Sequence, residues 1–182
     1  MKAIAIIGAK NRNGQTARAL NALIDGMQSC GGTVERIFLP LLKIERCRQC
    51  EDSGWGKCIR EGQCCIDDDF ASVVEKAGKA DAVIFANPVY YGDLSESLRA
   101  FLDRLRRTCI HEAGKKVVLG KRAIGIAVAG GGGGGGYSCV RNMEEVLGTC
   151  GFNILDLIPA RRQNLDNKCT VLKETGKWFA SQ

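Results

Sequence analysis

The chain has 182 residues, 26 Lys and Arg against 20 Asp and Glu, a formal net charge of +6, and a hydrophobic fraction of 45%. A chain of this size is expected to fold as a single domain over residues 1–182, burying roughly 70% of its unfolded surface without disulfide staples. The charge favours an anionic ligand, but basic residues interspersed with acids argue against nucleic acid, and the absence of a long apolar run argues against a membrane span or signal peptide.

Read in chain order, apolar runs and helical patterns alternate. Strands are expected at 2–8, 33–39, 81–87, 122–130 and 152–158. Leu20, Leu23, Ile24 and Met27 share one face of a first helix that stops at "CGG" (30–32). Phe70, Val73, Val74 and Ala77 mark a second, with "DDD" (67–69) as its cap and dipole complement. Leu94, Leu98, Phe101, Leu102 and Leu105 mark a third, capped by Asp93 or Ser95. Two more helices are expected near 138–148 and 168–180. "RLRR" (104–107) and "KK" (115–116) read as a solvated helix end and loop, and Asp103 and Arg104 as structural or interface residues. His111, the one histidine, reads as a loop residue.

Strand–helix alternation argues for an open parallel sheet covered on both faces, an α/β three-layer sandwich. The first, third and fourth strands have apolar interiors. The second carries Glu35 and Arg36 and the fifth Asn153 and Asp156, so these two are the edges. This fits the doubly wound order 2-1-3-4-5 of flavodoxin-like folds, in which ligands sit at the switch point outside the carboxyl ends of strands one and three.

Three loops reach that crevice. "AKNRNGQT" (9–16) precedes a helix N-terminus, a natural phosphate seat, with Asn11, Asn13, Gln15 and Thr16 as donors and Gly14 for a tight turn. It is neither a P-loop nor a dinucleotide fingerprint, and a polar turn capped by Thr16 is the plainer alternative. "NPVYYGD" (87–93) offers Pro88, Val89, Tyr90, Tyr91 and Gly92, whose tyrosines can flank a planar ring. The run Gly130–Gly136 can present bare backbone N–H groups, with Gly130, Gly131, Gly132 and the following Tyr137 nearest the ligand. Phosphate, ring and polar-edge roles together describe a flavin mononucleotide (FMN) site.

"GAKNRNGQTARAL" and, more closely, "ADAVIFANPVYYGDLSESLRAFLDR" (80–104) resemble the NADPH-dependent FMN reductase family. The cysteine segment before the second helix resembles that family's iron–sulfur flavoprotein branch. A serine common after the first strand is Ala9 here, and an arginine common two residues later is Asn11. Phosphate binding therefore leans on Asn13, Thr16 and backbone N–H groups. The resemblance implies FMN, hydride transfer from NAD(P)H, and electron release to a flavin, quinone or similar acceptor, by a homodimer or homotetramer; the absence of a signal segment gives the cytoplasm as the expected location. The alternative it implies is an electron carrier with an iron–sulfur cluster and a ferredoxin-like protein partner.

A cysteine-rich insertion, about 44–66, interrupts the pattern. Its spacing, C-x2-C-x7-C-x5-C-C, holds five of the ten cysteines. Cys47, Cys50, Cys58 and Cys64 make up the four thiolates of an iron–sulfur site, and Cys65 can replace Cys64. In the iron–sulfur flavoproteins the run is more compact, and the expected third position is Ser53. Zinc, a disulfide-exchanging C-x-x-C pair and idle thiols are the other readings. Cys30, Cys109, Cys139, Cys150 and Cys169 read as small hydrophobes.

Overall fold

A computed structural model describes residues 1–182. The strands are β1 (Lys2–Ile7), β2 (Thr33–Phe38), β3 (Ala82–Pro88), β4 (Arg122–Ala129) and β5 (Asn153–Arg161). The helices are α1 (Gln15–Ser29), α2 (Lys57–Glu61), α3 (Phe70–Lys79), α4 (Glu96–Thr108), α5 (Glu112–Lys115), α6 (Gly136–Cys150) and α7 (Leu165–Ala180). All strand pairs are parallel, and the order is β2-β1-β3-β4-β5, as expected.

The central strands are buried on both faces because each has a helix layer to cover it. On one side α1 and α7 pack over Ala5, Ile7, Ile84 and Ile126. On the other, α3, α4 and α6 enclose Ile4, Ile6, Val83 and Phe85. No helix is long and apolar enough to cross a membrane.

Between β2 and α3 the chain leaves the sheet for residues 46–67, and the neck of this excursion is pinned by carboxylates. Asp69 accepts from Lys43 N–H at 2.7 Å, and Asp68 from Glu45 N–H at 2.8 Å. Asp68 also forms a two-pronged ion pair with Arg104 of α4, at 2.6 and 2.9 Å. Arg104 reaches the Glu45 carbonyl too and lies 4.2 Å from the Phe70 ring centroid.

Three expectations change here. "RLRR" is no solvated end: Arg104 is only 1% exposed, and Arg107 stacks 3.9 Å from the Trp55 ring while donating to the Gly54 carbonyl. "DDD" is less a cap than a neck clamp: Asp68 accepts from Phe70 N–H at 3.1 Å, but Asp69, at the cap position, makes no capping bond. "KK" closes α5, which His111 caps by accepting from Ala113 N–H. Cys109, Cys139 and Cys150 are buried as expected, whereas Cys30 is exposed.

Burial alone would raise the Asp68 carboxyl, but its hydrogen bonds to Arg104 and to the Glu45 and Phe70 N–H groups hold it below its usual value. A carboxyl lowered in this way stabilises the fold fully above its unfolded value, about 3.9, and loses that contribution as pH falls through the folded value. Asp68→Asn, which strands a buried guanidinium, is expected to cost about 3–5 kcal/mol in urea unfolding at pH 7. Its unfolding midpoint should also vary less with pH below about 4 than that of the wild type.

Candidate functional site

A cleft of about 890 Å³ opens at the carboxyl ends of β1, β3 and β4. Ala9, Asn11, Gly14, Gln15 and Thr16 line one wall, Pro88, Val89, Tyr90 and Tyr91 another, and Gly130, Gly131 and Gly132 the third. Sequence reasoning missed Lys10, Val128, Ala129, Gly133 and Gly134, which also line it. Lys10 was legible as a cation beside a helix N-terminus. Asn13, Gly92 and Tyr137 are not among the lining residues.

The first wall is an anion seat by construction. Asn11 uses its side chain locally, accepting from Asn13 N–H at 2.9 Å, and so folds the turn that aims α1. Gly14 occupies the cap position without a side chain to offer, and the first turn of α1 holds no acid. The helix's leading N–H groups and positive dipole end are therefore free for an anion. Thr16 is buried within the first turn of α1 and does not cap it.

The second wall is held in shape from beneath. Buried Asn87 accepts from Ser95 N–H at 3.0 Å and donates to Cys139 Sγ at 3.4 Å. Burial pushes the Cys139 thiol up to about 11, so it stays neutral at physiological pH. Ser97 donates to the Gly8 carbonyl at 3.2 Å, tying α4 to the end of β1. A side chain at Gly8 would strike Ser95 Oγ at 2.4 Å. Above this, Tyr90 and Asp93 exchange backbone hydrogen bonds across Tyr91 (φ 51°) and Gly92 (φ 79°), the sign pattern of a type I′ turn. The turn holds both tyrosines outward, with Tyr91 fully exposed. Asp93 anchors it through Arg99, Leu94 N–H and Asn142. Those bonds outweigh the upward pull of burial and keep its carboxyl ionised below the ordinary range.

In the glycine run, necessity and openness alternate. Gly131, Gly133 and Gly135 have positive φ, and a side chain at Gly135 would meet the Gly92 backbone at 2.6 Å. Gly132 and Gly134 have ordinary φ, and a side chain there would meet nothing of the protein. Neither packing nor conformation requires those two glycines; a ligand against the backbone would.

The predicted cysteines meet elsewhere. Cys47, Cys50, Cys58 and Cys64 do line one cavity, with Cys65, under Arg104 and Arg107. Its volume is about 20 Å³. Cys50 and Cys65 approach to 3.3 Å, and no three of the thiols are disposed around a common metal position.

A doubly wound parallel sheet with a polar, glycine-lined crevice at its switch point defines a flavodoxin-like protein. The chain matches the family of NADPH-dependent FMN reductases over residues 1–164 and belongs to it. An iron–sulfur flavoprotein of Methanocaldococcus jannaschii is 31% identical over 87% of this chain and 74% of its own length. A second, of Archaeoglobus fulgidus, is 31% identical over 58% of this chain and 46% of its length. The chain thus spans less than two thirds of several such relatives. An NAD(P)H:quinone oxidoreductase from Methanothermobacter marburgensis shares the fold, with TM-score 0.72 and 19% identity, over 98% of this chain and 96% of that one.

Two substitutions in the glycine run should separate. Gly135→Ala, strained in φ and in contact, is expected to lower unfolding free energy by about 1–3 kcal/mol. Gly132→Val should stay within about 0.5 kcal/mol of wild type in the same urea titration.

Proposed function

We propose that this chain is an FMN-dependent oxidoreductase that takes hydride from NAD(P)H and delivers electrons to a flavin, quinone or similar acceptor. The observation that carries this reading is the cleft: an uncapped helix N-terminus, an outward tyrosine turn and open backbone glycines face one volume of about 890 Å³. Those residues fit FMN. The α1 N-terminus, with Gln15, Thr16 and Lys10, would seat the phosphate. Pro88 to Tyr91 would lie along the ring, and the N–H groups of Gly130, Gly131, Gly132 and Gly134 would meet its polar edge, that of Gly133 being donated to the Gly130 carbonyl. Bound FMN supplies the hydride-accepting chemistry; the chain supplies seat, orientation and access. The exposed tyrosines form a wall that leaves the cleft open to solvent, so donor and acceptor can enter by turns. Family membership supports NAD(P)H as donor.

A second reading, an iron–sulfur flavoprotein that carries electrons to a ferredoxin-like protein, draws on the names of the curated relatives. The cysteine cavity does not fit a cluster as it is arranged. No three of its thiols surround a common metal position, and Cys50 and Cys65 are closer together than two ligands spanning a cluster would be.

Titration of the flavin-free chain with FMN, followed by flavin fluorescence, is expected to saturate at one FMN per chain. The loaded protein should then oxidise NADPH or NADH in steady state with menadione as acceptor. Gly132→Val should weaken FMN binding by about tenfold or more, with its stability unchanged. A chain that FMN cannot reconstitute would overturn the assignment, and FMN binding without NAD(P)H turnover would favour the carrier.

A further inference from the structure

Both faces of the cysteine cavity are built, and the flavin reading uses neither. The thiols of Cys50 and Cys65 stand 3.3 Å apart, closer than any other pair of polar side-chain atoms in the excursion that is not an ion pair or local turn contact. A disulfide needs roughly 2.05 Å, so the two sulfurs have about 1.2 Å left to close. The backbone around Cys50 is under constraint. Gln49 (φ 51°) and Glu51 (φ 61°) both occupy the left-handed region, and they are two of only three non-glycine residues that do. Such strain persists only where surroundings enforce it. Here the Glu51 carboxylate takes two hydrogen bonds from Arg60, at 2.9 and 2.8 Å, and Gly56 lets the chain pass so close that a side chain there would meet Cys50 Cβ at 2.9 Å.

The cavity wall is cationic. Arg48, Lys57, Arg104 and Arg107 line it; the first three are ion-paired with Glu45, Glu61 and Asp68, which stand outside the lining, and Arg107 has no carboxylate partner. The Nε–H groups of Arg104 and Arg107 are buried without an acceptor. An unpaired buried donor is costly unless something electron-rich faces it, and the Cys64 sulfur is within hydrogen-bonding reach of the Arg104 guanidinium. The site is also remote from the cleft. Ser95 caps α4 at the cleft end and Arg104 sits nine residues further on, a rise of about 14 Å.

We propose that Cys50 and Cys65 are a thiol–disulfide exchange couple, a second redox site that takes small disulfides bearing negative charge. Cys65, the exposed member, attacks one sulfur of R–S–S–R. That bond breaks, its electron pair leaves on one RS⁻, and a Cys65–S–S–R bond forms. The Cys50 sulfur then attacks the Cys65 sulfur, forming the Cys50–Cys65 bond and expelling the second RS⁻. The two protons given up by the cysteines pass to the two leaving thiolates. Two protein thiols are oxidised and one disulfide is reduced to two thiols; excess thiol reverses the sequence.

The test uses the full chain, reduced, desalted under anaerobic conditions and incubated with glutathione disulfide. Peptide mapping should find one disulfide per chain, joining Cys50 to Cys65, with two glutathiones released. Cys50→Ser should stop at a stable glutathione adduct on Cys65. The neutral 2-hydroxyethyl disulfide should react about tenfold more slowly at low ionic strength, a gap that added salt closes. Disulfides spread over other cysteine pairs, a persistent adduct on the wild type, or equal rates for the two disulfides at low salt would overturn the proposal. So would iron and sulfide reconstitution that consumes Cys47, Cys50, Cys58 and Cys64 together. FMN titration of Cys50→Ser should match the wild type, so failure here is distinct from failure of the flavin assignment.

Discussion

The buried Asp68–Arg104 ion pair turns residues 46–67 from a loop into a structure. The excursion carries few apolar side chains and contains only the single turn of α2, too little to stabilise itself. Its ends are instead drawn together at one point, where Asp68 holds the Glu45 N–H, the Phe70 N–H and both prongs of Arg104. Two charges removed from water repay that cost only when every lone pair and proton is matched. Three hydrogen bonds hold the guanidinium, its Nε–H is left without an acceptor, and Arg104 also lines the thiol cavity.

Helix α4 is the beam to which both chemistries are fixed. Its first turn serves the cleft: Ser95 caps it, Ser97 reaches the end of β1, and Asn87 holds the loop before it. Its last turns serve the cysteines through Arg104 and Arg107. Leu98, Phe101, Leu102 and Leu105 between them are buried in the core under the sheet. The two regions therefore share a rigid support without sharing a wall. A substitution in the excursion that spares Asp68 and Arg104 has no direct path by which to deform the cleft.

The sheet order was readable because strand burial writes itself into composition. β1, β3 and β4 have apolar interiors, and Glu35, Arg36, Asn153 and Asp156 expose the edges. β5 runs on to Arg161, beyond its apolar run, because Ile158 and Ala160 are buried alternately at its end. Most of the cleft was legible for a related reason: the switch point follows from strand order, and the loops leaving it follow from the strands. What stayed illegible depends on long-range partners. Nothing in "RLRR" tells that its first arginine meets a carboxylate 36 residues earlier in the chain. The five residues of α2 and four of α5 are shorter than any window in which helical periodicity shows. The approach of Cys50 to Cys65 joins residues 15 apart in the chain, and left-handed backbone at Gln49 and Glu51 flanks the first of them. Neither residue type announces such a conformation.

The glycine run has a thermodynamic consequence beyond its shape. Glycine gives up more conformational freedom on folding than any other residue, so seven in succession make this segment unusually dear to order. The fold meets that cost at few points: Gln163 donates to the Gly131 carbonyl, and Gly135 lies against Gly92. A ligand that bridges the intervening N–H groups binds the ordered chain and not the unfolded one, so it adds to stability by mass action. Occupancy of the cleft and survival of the fold are then a single linked equilibrium, and the melting temperature doubles as a gauge of how full the cleft is.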